Sequence, residues 1–292
     1  MPAQGTARLR LETWLHARRE AWRAAFVRGP ATAFIFEFVS FGVKNAWACL
    51  FGGAMLALLL GTFWFWPAHA PLARYDFLTI GALVIQVVML ATKLETWGEA
   101  RAILAFHVVG TIMEVFKTGA GSWLYPEASV LRIGGVPLFS GFMYAAVGSY
   151  IARIWRIFAF RFERFPPTWM QGLLAAAIYV NFFAHHYLPD IRLALFVASA
   201  AIYGPCMLRY RPDLKYRPMP LLVGLVLVAL FIWFAENLGT FARAWVYPGQ
   251  QGVWRPVSIS KLGAWYLLMI ISFALVATLH AGDGGRKTEL ST

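Results

Sequence analysis

The chain has 292 residues, of which 60% are hydrophobic and only 14% are charged. Soluble domains carry about a quarter charged residues, so this composition argues against an ordinary soluble globular protein and predicts a membrane protein. The formal charge of +12 lies mainly in short segments between apolar stretches. This placement favours anionic lipid headgroups as partners and predicts no nucleic-acid binding. Cys49 and Cys206 lie inside apolar stretches and predict neither a disulfide framework nor a metal site.

The first 30 residues form a basic arm that lacks the apolar core of a signal peptide. Its arginines alternate with apolar and aromatic residues, which predicts an amphipathic helix on the cytoplasmic face of the membrane. A nucleic-acid-binding arm is the alternative, but aromatic residues suit a lipid interface better. The arginines are Arg8, Arg10, Arg18, Arg19, Arg23 and Arg28.

Residues 31–280 are predicted to form one all-α bundle with about eight transmembrane helices, because a span needs about 20 mainly apolar residues. Residues 281–292 are predicted to form a short cytoplasmic tail. The stretch 31–43 is expected either to extend the first span or to form a separate interfacial turn. The predicted spans cover residues 44–66, 77–93, 98–118, 135–154, 168–188, 192–209, 219–240 and 258–280.

Lysine and arginine residues are concentrated in alternate connections between these spans. The arm, the connections after the second, fourth and sixth spans, and the tail are the richer set. The positive-inside rule therefore predicts that both termini are cytoplasmic.

The third predicted span carries two ionisable residues. Glu114 lies about one turn before its outer end, and His107 lies two turns earlier on the same helical face. An ionisable group inside a membrane is costly and is by default a candidate functional residue. Each residue also has a structural interpretation: Glu114 could bond Lys117 or a neighbouring helix, and His107 could be a satisfied core residue.

The sequence that follows Glu114 recurs 122 residues later, after Glu236, without a gap. Spans three and seven run in the same direction, so the pattern predicts a parallel repeat of spans 3–4 and 7–8 about a pseudo-two-fold axis along the membrane normal. The first copy contains Glu114, Trp123, Tyr125, Pro126, Gly141 and Tyr144, and the second contains Glu236, Trp245, Tyr247, Pro248, Gly263 and Tyr266.

The repeated residues suggest a site near the outer leaflet. A low dielectric favours neutral carboxyl groups, so two of them across a pseudo-two-fold axis could share a proton or divide acid and base roles. The Trp-x-Tyr-Pro segments fit an ordinary interfacial belt and helix end. Their identical spacing also predicts a pair of aromatic walls over a cavity.

The outer end of the fifth predicted span is rich in polar residues, namely Asn181, His185, His186 and Asp190. Their spacing matches no strong zinc motif, so we predict a proton relay or a hydrogen-bonded rim rather than a metal site. The chain contains no nucleophile elbow, phosphate loop or dinucleotide fingerprint, and no cofactor is predicted.

Several long stretches of the chain resemble one bacterial family of multi-pass membrane proteins, number 817 in the domain-of-unknown-function series. The resemblance extends over about residues 31–280 and implies an integral protein of the bacterial cytoplasmic (inner) membrane. It implies no activity and no site residues. The stretches are Phe106–Lys117, Gly121–Glu127, Gly135–Tyr144, Tyr179–His186 and Ala235–Phe241.

These features lead to a first hypothesis of an intramembrane enzyme that acts on a lipid or isoprenoid-like substrate. Glu114 and Glu236 are predicted to be the acid and base, with His107 as a proton partner, in a mostly apolar pocket. A proton-coupled transporter of small molecules is the alternative, and a non-catalytic membrane assembly protein is a third. The oligomeric state is left open. The predicted substrate-binding residues are Trp123, Tyr125, Trp245, Tyr247, Asn181, His185, Tyr144 and Tyr266.

Overall fold

A computed structural model describes residues 17–282, which form a mainly helical bundle with two small antiparallel sheets. Residues 1–16 of the predicted arm, with Arg8 and Arg10, and residues 283–292 of the predicted tail lie outside the described residues. Residues 17–26 are helical. The further elements are α1 (Pro30–Ala48), α2 (Leu50–Phe65), α3 (Arg74–Ala91), α4 (Trp97–Gly119), β1 (Arg132–Ile133), β2 (Val136–Pro137), α5 (Phe139–Ile157), β3 (Arg161–Glu163), α6 (Thr168–Ala184), α7 (Arg192–Tyr203), β4 (Met207–Tyr210), β5 (Arg217–Pro220), α8 (Leu221–Phe241) and α9 (Ser260–Gly282).

Four of the described helices are long and apolar enough to cross a membrane: α3, α4, α8 and the part of α9 that ends at Thr278. Helices α1 and α2 pass the same test only as a pair, which is bent by 66° at Cys49. The apolar helices α6 and α7 are shorter, with 17 and 12 residues. The all-α class is therefore confirmed, and the helices are compatible with a membrane protein, whereas the count of eight spans stays a prediction.

The prediction of one helix over residues 192–209 is wrong in its final part. Helix α7 ends at Tyr203, and residues 207–210 form β4 instead. Pro205 explains this end, because proline has no amide hydrogen with which to continue the hydrogen bonds of the helix. At 1.5 Å per residue, a 12-residue helix is about 18 Å long, which is short of the membrane core.

The larger sheet has the order β3-β4-β5, with Phe162 opposite Leu208 and Leu208 opposite Met219. Its strands come from connections that the charge pattern predicts on one side of the membrane. Arg19 and Arg23 of the helical stretch 17–26 form ion pairs with Asp213, which lies between β4 and β5. The described part of the arm therefore packs at the same end of the bundle as this sheet.

The smaller sheet explains why α5 begins later than the predicted residue 135. Strands β1 and β2 form a hairpin whose two turn residues, Gly134 and Gly135, have φ angles of 56° and 83°. Two positive φ angles in a two-residue loop require glycine or asparagine, and this turn occupies the start of the apolar stretch. Helix α5 then starts at Phe139.

A buried ion pair joins α5 to the segment that precedes α4. Arg153 donates to Glu95 at 3.0 Å, and Ser149 donates to the same carboxyl oxygen at 2.7 Å. Helix α4 itself begins with a capping box between Thr96 and Glu99. These contacts fix the start of α4 against α5, and α5 is its most extensive partner along the length that leads to Glu114.

Candidate functional site

Glu114 lies near the end of α4 and accepts three side-chain hydrogen bonds, although its exposed fraction is only 5%. The chain reverses after α4 at Gly121, whose φ of +72° suits glycine, and this turn brings Trp123 and Tyr125 back over the helix. The Trp123 indole and the Tyr125 hydroxyl donate to Oε2 at 2.7 and 2.6 Å, and the Tyr144 hydroxyl of α5 donates to Oε1 at 2.8 Å.

Glu236 on α8 is buried to a similar degree, at 4% exposure, and accepts two side-chain hydrogen bonds. Its chain reverses at Arg243, which has a φ of +52° and occupies the position equivalent to Gly121. The Tyr247 hydroxyl donates to Oε1, and the Trp265 indole of α9 donates to Oε2 at 2.5 Å. A buried carboxyl group that accepts two or three hydrogen bonds is held in one orientation.

The two segments that follow these glutamates pair with each other. Leu124 and Val246, which occupy equivalent positions 122 residues apart, exchange both backbone hydrogen bonds at 3.0 and 2.9 Å. A reciprocal bond between equivalent residues is the arrangement that a local two-fold axis produces. The described hydrogen bonds do not join the two carboxyl groups directly.

Two aromatic pairs connect the carboxyl networks. The ring of Trp123, which bonds Glu114, lies edge-on to the ring of Tyr247 with 6.0 Å between centroids. Tyr144 and Trp265 form the second pair, at 6.2 Å. Each pair therefore consists of one side chain that donates a hydrogen bond to Glu114 and one that donates to Glu236.

The two tyrosines that lie outside the long helices, Tyr125 and Tyr247, are hydrogen-bond donors to the carboxyl groups. Burial, and then the neighbouring Glu114, raises the pKa of Tyr125 well above the ordinary value for a phenol. Burial and Glu236 raise the pKa of Tyr247 in the same way. Both hydroxyls thus keep their protons at neutral pH and can donate hydrogen bonds to the carboxyl groups.

A cavity of about 190 Å³ lies beside the first network, with the Trp123 ring in its wall. The cations Lys117, Arg192 and Lys261 line it together with neutral polar groups. The Lys261 ammonium lies over the rings of Tyr247 and Trp123, at 4.3 and 5.6 Å from their centroids. Its lining residues are Lys117, Ser122, Trp123, Ile178, Asn181, Phe182, His185, Arg192, Ser260, Lys261, Ala264, Leu267 and Leu268.

Two histidines hold Lys117 at the edge of this cavity. The Lys117 ammonium is 3.3 Å from Nε2 of His185 and 2.9 Å from Nε2 of His186. Nδ1 of His185 is 3.0 Å from the Asn181 carbonyl, so this nitrogen carries the proton and Nε2 accepts from the lysine. Among residues 17–282, no group of three or more histidine, cysteine or acidic residues is arranged to hold a metal ion.

A narrow apolar cleft of about 30 Å³ lies beside the cationic cavity, and Leu268 lines both. The rings of Tyr144 and Trp265 form part of its wall, so one ligand of each carboxyl group contacts the cleft. Ser272 is the remaining polar residue in the lining, and the other lining residues are apolar. The cationic cavity and the apolar cleft therefore adjoin each other beside the two carboxyl networks.

Three of the predicted site residues neither bond the two carboxyl groups nor line the cavity, although Trp245 contacts Tyr247. His107 packs against Phe142 of α5, about 10 Å along α4 from Glu114 by helical rise. Trp245 packs in an apolar cluster that includes Tyr75, and the Tyr266 hydroxyl bonds Ser199. Their predicted roles as proton partner and substrate contacts stay predictions.

Three further residues of this region were not predicted from the sequence to belong to it, namely Lys261, Trp265 and Arg192. Lys261 replaces Phe139 of the first copy, and Trp265 replaces Met143. A comparison of the two copies could have found both residues. It shows a charge at the start of an apolar helix and an indole beside the repeated Tyr266.

A buried arginine between the two copies was also missed. Arg74 donates to the carbonyls of Ala242 and Arg243 at 3.0 and 3.3 Å, and it pairs with Glu127 at 3.0 Å. The carbonyls belong to the end of α8, where a cation is favourable, and Glu127 follows the first Trp-x-Tyr-Pro segment. Arg74 therefore ties the second copy to the loop of the first.

Comparisons with known proteins agree with the family resemblance. The family described as "Protein of unknown function (DUF817)" matches residues 37–273. The "Uncharacterized protein YoaT" of Bacillus subtilis (strain 168) is 41% identical over 246 residues, which cover 84% of this chain and 92% of that protein. A crystal structure of a cross-linked MvINS trimer shares 13% identity at a TM-score of 0.45, over 64% of this chain and 96% of that one. The chain therefore belongs to the DUF817 family.

Proposed function

We propose that this protein is an integral membrane enzyme that acts on a lipid-like substrate by carboxyl acid–base chemistry near the outer leaflet. One observation carries the proposal: Glu114 and Glu236 are buried at equivalent positions, and each is held by a tyrosine hydroxyl and a tryptophan indole. A fixed pair of buried carboxyl groups in different environments is a recurrent acid–base arrangement.

The surroundings of the two glutamates suggest how the roles divide. Lys261 acts electrostatically on Glu236, and this cation distinguishes the surroundings of Glu236 from those of Glu114. We assign Glu236 to removal of a proton from the substrate and Glu114 to its return. Tyr144 bonds Glu114 and lines the apolar cleft, so its hydroxyl is a route for that proton.

The proposal includes a membrane arrangement that goes beyond the four to five candidate spans. We propose about eight membrane-crossing or re-entrant segments, both termini in the cytoplasm and a location in the bacterial inner membrane. The alternation of basic connections supports the orientation. The reciprocal pairing of Leu124 and Val246 supports a parallel repeat about a pseudo-two-fold axis.

The test is mass spectrometry of total membrane lipids from a deletion strain that carries the wild-type gene, Glu114→Gln or Glu236→Gln. We expect a lipid to accumulate on deletion, to clear with the wild-type protein and to persist with either variant. Glu163→Gln is the matched control, because Glu163 pairs with Arg209 on the exposed sheet. Full clearance by both site variants would disprove the acid–base roles.

The same experiment separates an enzyme from a transporter. If deletion leaves every lipid unchanged, transport becomes the better explanation, and the next measurement is labelling of single cysteines along α8. A transporter must open α8 to water from both sides, whereas an enzyme near the outer leaflet exposes only one end.

A further inference from the structure

The cationic cavity contains positive charge that the protein does not fully neutralise. Lys117 is only 3% exposed, and its hydrogen-bond partners among the described residues are the rings of His185 and His186. Lys261 lies on two aromatic rings. Among the described residues, no carboxylate oxygen lies within 4.0 Å of either lysine ammonium. Arg192, in contrast, pairs with Asp190 at 3.1 Å.

The nearby acidic groups only partly compensate these lysines. Asp190 acts on Lys117 and Glu236 acts on Lys261 electrostatically, but both lie beyond ion-pair distance of them. Asp190 also accepts from Asn181 at 3.1 Å, besides its pair with Arg192. A buried ammonium group without an ion pair costs free energy, which an anion in the cavity would recover.

The remaining lining groups suit a phosphate group. Ser122 and Ser260 bring hydroxyl groups to the same cavity, whereas the His185 imidazole and the Asn181 amide bond other groups of the protein. Lysine ammonium groups and hydroxyls are frequent donors to phosphate oxygens. The volume of about 190 Å³ is several times the roughly 30 Å³ that one water molecule occupies in the liquid, so a phosphate group fits.

We infer that this cavity binds the phosphate group of the ligand, and that the small apolar cleft at Leu268 marks the side on which an attached apolar chain leaves the cavity. This inference deepens the proposed function, on which it rests for the identity of the site, by naming a phosphorylated amphiphile as the substrate class. The phosphate lies beside Trp123 and Lys261, and the two carboxyl networks lie between head and chain.

Binding to the purified full-length chain in detergent tests the inference without any turnover. The probes are inorganic phosphate, dioleoyl phosphatidic acid and dioleoylglycerol, and native mass spectrometry measures each bound fraction. Phosphatidic acid and dioleoylglycerol have the same chains, so their difference reports the phosphate alone. We expect phosphatidic acid to bind at least about tenfold more tightly, in line with the strength of charge-assisted hydrogen bonds.

Two substitutions assign that binding to the cavity. Lys117→Met and Lys261→Met keep the aliphatic stems and should each weaken binding of phosphatidic acid about tenfold or more. Lys215→Met is the matched control, because Lys215 is exposed between β4 and β5. If Lys117→Met fails to fold, Lys261→Met still tests the loss of a cavity charge. Lys117→Arg then serves as the second variant, because it keeps the charge and should retain binding.

Each outcome decides the inference. If phosphatidic acid binds and inorganic phosphate displaces it, the ligand is a lipid with a phosphate headgroup. If only inorganic phosphate binds, and both lysine variants weaken that binding, the ligand is a soluble phosphorylated molecule. The inference falls if no phosphate probe binds or if both variants bind as the control does. If Glu236→Gln loses lipid turnover but binds phosphate normally, both proposals stand. If the wild-type protein turns over lipid but binds no phosphate probe, only the phosphate-binding inference is disproved.

Discussion

Glu114 and Glu236 occupy equivalent positions, yet the first accepts three described side-chain hydrogen bonds and the second accepts two. The equivalent tryptophans are used differently. Trp123 donates to Glu114, whereas Trp245 packs on Gly239 of α8. Helix α9 supplies the indole to Glu236 instead, through Trp265.

The residue one turn after each glutamate explains this difference. The second copy has Gly239, and a Cβ atom added there would overlap the Trp245 ring. The first copy has Lys117 at the same position, and a Cβ atom there is incompatible with an indole packed as Trp245 is. Trp123 therefore turns toward Glu114. Divergence at one position thus accounts for the different roles of the two tryptophans.

The largest expected effect is on stability and distinguishes the two networks. Glu114→Ala leaves three buried donors without an acceptor, and Glu236→Ala leaves two. Since each such donor costs about 1–3 kcal/mol, the first variant should be the less stable by about that amount. Thermal unfolding in detergent measures the difference, and Glu163→Ala is the surface control. Equal losses would mean that the third donor at Glu114 contributes nothing.

A smaller effect is expected where Trp245 packs on α8. Gly239→Ala should destabilise the fold by about 1–2 kcal/mol, because overpacking exceeds the gain in helix propensity. Gly172→Ala on α6 is the matched control, since nothing lies within 4 Å of its added Cβ atom. The same unfolding measurement applies, and a stabilising Gly239→Ala would show that the indole moves without cost.

The smallest effect concerns the equivalent turns at Gly121 and Arg243, which have φ angles of +72° and +52°. Gly121→Ala should cost about 1 kcal/mol, because a side chain is strained in this region. Arg243→Gly should stabilise by up to about 1 kcal/mol, since its side chain makes only a 3.4 Å bond to the Gly252 carbonyl. A loss of stability in both variants would indicate that the Arg243 side chain outweighs the strain.

Much of the helical fold could be predicted from apolar runs of sufficient length. The predicted spans at 98–118, 219–240 and 258–280 lie close to the observed α4, α8 and α9. The errors fall where chain-breaking residues interrupt an apolar run, as at Gly204-Pro205 after α7 and at the glycine turn before α5. The three-stranded sheet escaped prediction, because its short strands are stable only when distant segments pair.

The sequence by itself determined which residues recur at a 122-residue spacing, and thereby pointed to Glu114, Glu236 and the two aromatic segments. Identity of type and spacing is visible without coordinates. Only the tertiary structure decided that Trp265 replaces Trp245 as a ligand of Glu236, and that Lys117 and Lys261 line one cavity. The physical reason is that hydrogen-bond partners and charge compensation depend on which helices pack together, and such contacts join residues that are distant in the chain.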